Sequence, residues 1–217
     1  SCYRANIPIF LWGPPAIGKT ARVKELAKNL KVPIITLVIS QMDAVDLAGA
    51  PIPLPGERKL KWMLPAWFPD DMDMEGILLL DDLGQAPELN QAVTMELLWA
   101  RQLHGNILPL NLRMIVTSNR PEDRAGVAGV ITTVSTRTAH LDVNPPTSDE
   151  WIQNFAIKNN IHPHIISFIN FRPSLLFKFA PNSPNPAQPT PRGWDLASRL
   201  YAVRPLVSSV QSCVGIG

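Results

Sequence analysis

Cysteine, net charge and long apolar runs are all scarce in this sequence, and each scarcity excludes a class of protein. The two cysteines, Cys2 and Cys213, stand near opposite ends of the 217 residues and fit neither a metal-binding spacing nor a disulfide framework, which favours a reducing, cytoplasmic environment. Twenty basic and 18 acidic residues leave a net charge of +2, which demands neither a nucleic acid nor an acidic partner. Apolar runs such as 33–39 and 77–80 are far shorter than the roughly 18 residues of a membrane span, so we predict no membrane partner.

The beginning of the sequence shows no signal for export. It starts at Ser1 rather than at methionine, and residues 1–20 lack a charged and then apolar leader with a small-residue cleavage site. We therefore interpret Ser1 as a trimmed or processed boundary.

Proline is the abundant residue, and it marks the loops. The 22 prolines are roughly twice the usual share of about 5%. Between them, short apolar runs alternate with segments of helical periodicity, which predicts a doubly wound α/β fold with five parallel strands. Strands are predicted at 7–12, 33–39, 77–81, 114–117 and 140–143, and helices include 20–30 and 87–103. Strand 33–39 is expected to be buried on both faces. The stripe of helix 87–103 expected to face the core is Leu89, Ala92, Val93, Leu97 and Ala100.

Two stretches interrupt this alternation and suggest how the chain is organised. Residues 41–75 contain five prolines and two tryptophans, and we interpret them as an insertion rather than a core element. After the last strand, Thr147 and Glu150 have the spacing of a capping box ahead of a helical region. Five prolines at 181–191 form a stiff connector before a last helix. We predict an α/β core over residues 1–145 and an α-helical domain over 146–217.

A phosphate-binding motif lies between the first predicted strand and the first predicted helix. The pattern G-x-x-x-x-G-K-[ST] is complete, comprising Gly13, Pro14, Pro15, Ala16, Ile17, Gly18, Lys19 and Thr20. Glycines let backbone N–H groups close around phosphates, the lysine reaches the β- and γ-phosphates, and the threonine hydroxyl binds Mg²⁺. The alternative is an ordinary glycine-rich turn that happens to contain a lysine, but the strand and helix on either side favour the phosphate loop.

Two carboxylates follow the buried strand 77–81. Asp81 and Asp82 come directly after an apolar run, where one carboxylate can hold Mg²⁺ through water and the other can orient the attacking water. Taken alone, such a pair is also typical of a strand exit or a helix cap. The phosphate loop earlier in the chain favours the catalytic interpretation.

The third motif is the segment 114–119, a strand that ends in the polar amide of Asn119, and at this point the motif order resembles that of the AAA+ ATPases. The segments Asp46-Leu47-Ala48-Gly49, Leu80-Asp81-Asp82-Leu83-Gly84-Gln85-Ala86-Pro87 and Thr190-Pro191-Arg192-Gly193-Trp194 resemble the MoxR-like branch in particular. The resemblance extends from Ile7 to about Tyr201. It implies a P-loop NTPase fold, with a five-stranded parallel sheet between helices and a small C-terminal α-helical lid, and it implies ATP and Mg²⁺ as ligands.

The resemblance also implies a role for each polar residue of these motifs. Lys19 and Thr20 correspond to the Walker A pair, Asp81 to the Walker B ligand of Mg²⁺, and Asn119 to sensor 1. Asp82 takes the place of the catalytic carboxylate, which is usually glutamate in the family, so hydrolysis could be slow. Asn119 has a simpler alternative as an amide that caps the turn before Pro121.

Arginines supply the remaining implied catalytic groups. Arg137 corresponds to the arginine finger, a residue that reaches into a neighbouring subunit's site, and Arg192 corresponds to sensor 2. Arg120 and Arg124 compete with Arg137 for the finger role, and an ordinary surface arginine is an alternative for each. A finger acting in trans implies a homo-oligomeric ring, for which the family's usual number is six.

The insertion could contact a partner, since the basic run 57–61 is followed by Trp62. Such a hairpin tip suits either a polypeptide or a nucleic acid, although a run of this kind is more often a solvated turn. The four histidines lack metal-binding spacing and are interpreted as structural or exposed.

These patterns together predict an ATP-hydrolysing, MoxR-like AAA+ protein that remodels a protein partner or works with an adaptor. One alternative is an assembly switch that binds ATP tightly and hydrolyses it slowly. A nucleic-acid motor is a third hypothesis, disfavoured by the nearly balanced charge. The identity of the substrate and the ring size do not follow from the sequence.

Overall fold

The structure is a computed structural model that describes residues 2–123 and 129–216. Ser1 and Arg124 therefore lie outside the described residues. The chain divides into two compact units. The first unit, here called the sheet unit, comprises the described residues 2–12, 20–121 and 129–142. The second, called the C-terminal unit, comprises the described residues 13–19, 122–123 and 143–216. The domain boundary at residue 145 stays a prediction.

A five-stranded parallel sheet forms the centre of the sheet unit, as predicted. The strands in chain order are β1 Ile9–Trp12, β2 Ile34–Val38, β3 Ala50–Pro53, β4 Leu60–Met63, β5 Gly76–Asp81, β6 Gln102–Leu103, β7 Asn106–Ile107, β8 Leu112–Ser118 and β9 Ala139–Asp142. The large sheet has the order β2-β5-β8-β1-β9, whereas β3 pairs with β4 and β6 with β7 in two antiparallel hairpins. Because all five strands of the large sheet are parallel, their carboxyl ends lie at one edge of it.

Strand position decides burial within this sheet. β5 lies between β2 and β8, and every residue from Ile77 to Leu80 is fully buried. The prediction that strand 33–39 is buried on both faces was wrong, because β2 is an edge strand in which only Leu37 is fully buried. An edge strand has a neighbour on one side only, so part of its surface remains accessible.

The helices of the sheet unit are α1 Lys19–Leu30, whose first residue belongs to the C-terminal unit, α2 Ala44–Ala48, α3 Glu88–Ala100 and α4 Thr132–Ser135. The stripe predicted for α3 was largely wrong: Leu97 is fully buried, but Leu89 is 65% exposed. The face that is buried consists of Asn90, Gln91, Thr94, Leu97 and Leu98. Polar side chains can be buried there because they form hydrogen bonds with the backbone of neighbouring loops. Asn90 Nδ2, for example, donates to the carbonyl of Met42 at 2.7 Å.

The insertion at 41–75 contributes to the core, which corrects its interpretation as a separate element. Leu47, in α2, and Phe68 are buried in the same apolar cluster as Phe10 and Leu80 of the sheet. Trp67 fastens the segment further, since its Nε1 donates to the carbonyl of Leu47 at 3.1 Å.

The C-terminal unit is helical, as predicted. It contains α5 Ser148–Trp151, a π-helical turn at Ile152–Ala156, α6 Pro163–Phe171, α7 Pro191–Val203 and α8 Val207–Val214. The predicted capping box is confirmed: Thr147 accepts from the Glu150 amide, and the Glu150 carboxylate accepts from the Thr147 amide. Trp194, at the centre of this unit's core, is fully buried. Across residues 2–123 and 129–216, every helix is too short or too polar to cross a membrane.

Candidate functional site

The phosphate loop, residues 13–19, has a backbone that requires its glycines. A Cβ on Gly13 would lie 2.4 Å from the carbonyl oxygen of Val143 and 2.9 Å from Ile17 Cδ1, so only glycine fits. Gly18 has φ of +91°, which L side chains rarely adopt. The motif residues are therefore a specific local structure, and the loop conformation explains why glycine stands at both ends of the pattern.

Lys19 is buried against this loop. Its Nζ donates to the carbonyl oxygens of Gly13 and Pro14, each at 2.9 Å, and the residue is 7% exposed. The loop therefore holds a cation at its own backbone. Phosphate oxygens carry negative charge, so they would attract this ammonium group more strongly than these neutral carbonyls do. The loop and its lysine thus fit a phosphorylated ligand.

Arg192 lies next to the same loop within the C-terminal unit. Its backbone N–H donates to the carbonyl oxygen of Ala16 at 3.4 Å. Arg192 is in the first turn of α7, whose N-cap is Thr190, with its Oγ1 accepting from the Gly193 amide at 3.0 Å. The N-terminus of a helix carries partial positive charge, which favours an anion nearby. The structure therefore brings the predicted sensor 2 residue and the phosphate loop together.

Ala16 is in the left-handed region, with φ of +61°. This conformation costs a residue with a Cβ about 1–2 kcal/mol, whereas glycine adopts it freely. The loop accordingly contains strain at the position where the sequence has alanine.

In the sheet unit, Thr20 and Asp81 meet directly. Thr20 Oγ1 lies 2.9 Å from each carboxylate oxygen of Asp81, and Asp81, the last residue of β5, is 7% exposed. A hydroxyl and a carboxylate are hard oxygen ligands of the kind that Mg²⁺ binds. The donor set therefore fits the magnesium ion that the sequence predicts, although the two residues are 61 positions apart.

Thr117 is a site residue that sequence reasoning missed. It is fully buried near the end of β8, its hydroxyl donates to Asp81 Oδ1, and its Oγ1 accepts from the Asp82 amide at 3.3 Å. Thr117 thus orients both carboxylate residues. The available signal was a hydroxyl residue close to the end of a buried strand, two positions before Asn119.

Asp82 and Asn119 follow neighbouring parallel strands, β5 and β8. Asp82 has φ of +56°, a left-handed conformation that aspartate tolerates better than most residues. Asn119 is 8% exposed. Because parallel strands end at the same edge, both polar side chains belong to the edge that also carries Asp81.

Arg137, the predicted arginine finger, contacts residues of the helices α3 and α4. It lies between α4 and β9, its guanidinium is 5.4 Å from the ring centroid of Trp99 on α3, and its Nη1 donates to the carbonyl of Thr133. Its competitor Arg120 forms an ion pair with Asp142, with 2.9 Å between Nη2 and Oδ1. The other competitor, Arg124, lies outside the described residues.

One arginine has a shifted pKa and a structural role. Burial, followed by the nearby charge of Arg113, lowers the pKa of Arg101. Arg101 follows α3, and its Nη2 donates to the carbonyls of Pro109 at 2.7 Å and Leu112 at 2.8 Å. It thereby fastens the end of α3 to the beginning of β8.

The two hairpins of the sheet unit form a groove of about 490 Å³, lined by residues 60–64, His104 and Asn106. Trp62 of β4 stacks on His104 with ring centroids 3.7 Å apart, and His104 Nε2 lies 3.1 Å from the Ala48 carbonyl. Leu60 and Met63 are about 60% exposed at the same strand. The aromatic of the insertion therefore serves as an anchor between hairpins, with exposed apolar side chains beside it.

Comparison with known proteins identifies relatives at the level of family and fold. The model of the ATPase family associated with various cellular activities (AAA) matches residues 9–124. A lysine-to-arginine mutant of RuvB from Thermotoga maritima aligns at a TM-score of 0.56 and 14% identity, covering 98% of this chain and 63% of RuvB. NtrX from Brucella abortus aligns at a TM-score of 0.51 and 15% identity, covering 91% of this chain but 47% of NtrX. No curated protein sequence matches. This chain thus spans about half of NtrX and under two thirds of RuvB, and at such identities the likeness concerns the fold.

Proposed function

Because the chain belongs to the ATPase family associated with various cellular activities (AAA), whose model matches more than half of it, we propose that it binds Mg²⁺-ATP and hydrolyses it to ADP and phosphate. The observation that carries the proposal is the contact of Thr20 Oγ1 with both oxygens of Asp81 at 2.9 Å. These are the oxygen ligands that Mg²⁺ needs, and Thr20 directly follows the phosphate-loop lysine.

Each site residue has one role in this proposal. Residues 13–18 hold the phosphates through backbone N–H groups, Lys19 neutralises charge on the β- and γ-phosphates, and Thr20 with Asp81 holds Mg²⁺. A bound Mg²⁺ would supply positive charge that offsets the negative charge of the phosphates.

The hydrolytic step uses the polar residues that follow β5 and β8. Asp82 accepts the proton of the attacking water, and Asn119 orients that water. Arg192 and, from a neighbouring copy, Arg137 offset the charge that develops on the transferring phosphoryl group. The contribution of a second copy makes the working form a ring, with six copies as the family's usual number.

The work done by hydrolysis is remodelling of a protein partner, as in the MoxR-like branch that the sequence resembles. The groove between the hairpins supports contact with a polypeptide, since it combines the exposed apolar residues Leu60 and Met63 with the exposed base Lys61. The exposed edge of β4 also offers backbone hydrogen bonds to an extended segment.

A slow assembly switch is the second candidate, and it is favoured by Asp82. Aspartate is one methylene shorter than the glutamate usual at this position, so its carboxylate reaches less far toward a water molecule. In that case ATP binding would drive assembly while release of phosphate stays slow.

The experiment is phosphate release from Mg²⁺-ATP as a function of protein concentration. We expect specific activity to rise with concentration and to be lost in both Lys19→Ala and Arg137→Ala. Lys28→Ala, an exposed lysine on the same helix as Lys19, is the matched control and should retain activity.

Other outcomes separate the alternatives. Tight ATP binding without phosphate release contradicts the ATPase and supports the switch, and in that case Asp82→Glu should start hydrolysis by extending the carboxylate. If the protein binds single-stranded nucleic acid in a salt-dependent way and the bound strand stimulates ATP hydrolysis, the protein-remodelling role is contradicted.

A further inference from the structure

The unexplained feature of the sheet unit is an aromatic residue, 71% exposed, that holds the candidate arginine finger. We propose that Trp99 is a positioning residue for Arg137: its indole face holds the guanidinium in the orientation from which a second copy of this chain receives it. The inference rests on the proposed function, because it presupposes that Arg137 acts in the site of a neighbouring copy.

Three contacts define the position of Arg137. Its guanidinium carbon is 5.4 Å from the centroid of the Trp99 ring, within the range of a cation–π interaction. Its Nη1 donates to the carbonyl of Thr133, one turn earlier. Its Nε is buried and has no hydrogen-bond partner within the described residues. The contact with the indole and the hydrogen bond to Thr133 therefore hold the guanidinium at a defined position on its own copy.

The backbone that carries Arg137 is fastened to the same helix. Gln91 of α3 is 1% exposed, donates from Nε2 to the Gly129 carbonyl at 2.9 Å and accepts at Oε1 from the Ile131 amide at 3.0 Å. Val134 of α4 is fully buried in the core cluster that contains Leu97 of α3. Gln91 thus holds the segment before α4, and Trp99, two turns further along α3, holds the side chain after it.

This arrangement connects the two proposed roles of one copy. Along the chain, α3 comes six residues after Asp82, and the Gln85–Ala86 turn between them is fixed by Gln91, whose Nε2 also donates to the Ala86 carbonyl at 3.1 Å. Contacts of α3 thus join the turn after the acidic strand end to the segment that carries Arg137. Trp99, at the other end of α3, contacts the Arg137 guanidinium and is exposed, where a second copy can meet it.

The test mixes inactive variants so that donor and acceptor of the finger are separated. Lys19→Ala copies lack the phosphate-loop lysine but present Arg137, whereas Arg137→Ala copies keep the lysine and lack the finger. If the finger acts in trans, mixing the two restores phosphate release to at least a tenth of the level of the unmodified chain.

Trp99→Ala is then added to one partner at a time. We expect restoration to fall at least 5-fold when Trp99→Ala is on the Lys19→Ala donor and to stay within 2-fold when it is on the Arg137→Ala acceptor. Trp99→Phe on the donor, which keeps an aromatic face, should recover most of the activity. Leu89→Ala, another exposed residue of α3, is the surface control on the donor.

The possible results separate failure of the Trp99 positioning role from failure of the proposed ATPase activity. No activity in the unmodified chain overturns the proposed ATPase and the inference with it, and no restoration on mixing overturns the finger in trans. Restoration that is insensitive to Trp99 on either partner, or equally sensitive on both, overturns the positioning role alone. A general folding defect of Trp99→Ala would lower activity from either side, so the asymmetry is what a merely structural role does not produce.

Discussion

Thr117→Val removes one hydroxyl from the candidate magnesium site while the volume of the side chain stays almost the same. Thr117 is fully buried, and its hydroxyl donates to the carboxylate of Asp81 and accepts from the Asp82 amide. Valine has the same branched shape, so the core packing around β8 is retained. The substitution therefore isolates the contribution of two hydrogen bonds.

The magnitude follows from the charges involved. A hydrogen bond to a charged group contributes about 1.5–3 kcal/mol and a neutral one about 0.5–1.5 kcal/mol. The bond to Asp81 belongs to the first kind and the bond from the Asp82 amide to the second, so Thr117→Val should lower the free energy of unfolding by about 2–4.5 kcal/mol. Partners that orient a metal ligand typically contribute 10–100-fold to metal affinity or activity, and a Mg²⁺ requirement raised by about that factor is expected.

Two measurements check these values separately. Urea unfolding without nucleotide gives the stability change, and phosphate release as a function of Mg²⁺ concentration gives the metal requirement. Thr117→Ser keeps the hydroxyl and loses only a methyl group, so it is the matched control and should stay close to the unmodified chain in its Mg²⁺ requirement.

A Thr117→Val variant whose unfolding free energy and Mg²⁺ requirement both equal those of Thr117→Ser would show that the two hydrogen bonds contribute to neither stability nor metal binding. If stability falls but the Mg²⁺ requirement is unchanged, Thr117 is structural, and Asp81 needs no orienting partner.

Two further predictions concern the phosphate loop. In Gly13→Ala, the new Cβ would lie 2.4 Å from the Val143 carbonyl oxygen, so the loop must shift. We expect the affinity for a fluorescent ATP analogue to fall at least 10-fold. Unchanged affinity would contradict the close approach of Gly13 to Val143. Ala16→Gly should raise the unfolding free energy measured in urea by roughly 0.8 kcal/mol, because relief of the left-handed strain, about 1–2 kcal/mol, exceeds the about 0.4–1 kcal/mol lost to the added freedom of the unfolded chain. Ala21→Gly on the exposed face of α1 is the control of opposite sign, expected to lower it by about 1 kcal/mol, and equal shifts in the two variants would contradict the strain at Ala16.

Much of the fold could be predicted because its signals are local. The apolar run from Ile77 to Leu80 specifies a strand, and a glycine-rich loop with a lysine between a strand and a helix specifies a phosphate loop. The capping box of Thr147 and Glu150 is likewise a three-residue spacing whose hydrogen bonds form within one turn. These elements need no information about the rest of the chain.

Helix α3 shows where local signals mislead. Its apolar residues suggested a stripe beginning at Leu89, but the buried face includes Asn90 and Gln91 because their amide groups bind loop backbone at residues 39, 42, 86, 129 and 131. A polar side chain can be buried only where acceptors and donors surround it. Those partners come from distant parts of the chain, so hydrophobic periodicity cannot reveal them.

The order of the five strands of the large sheet and the residue types of the candidate site could be predicted, because they depend on backbone propensity and on motifs of fewer than ten residues. Three features follow only from the packing of the whole chain: β2 is an edge strand, Thr117 donates a hydrogen bond to Asp81, and Trp99 contacts the Arg137 guanidinium. Each of these depends on which strands and helices become neighbours. That choice reflects the packing of the whole core, in which residues separated by dozens of positions must satisfy one another's charge and hydrogen bonds.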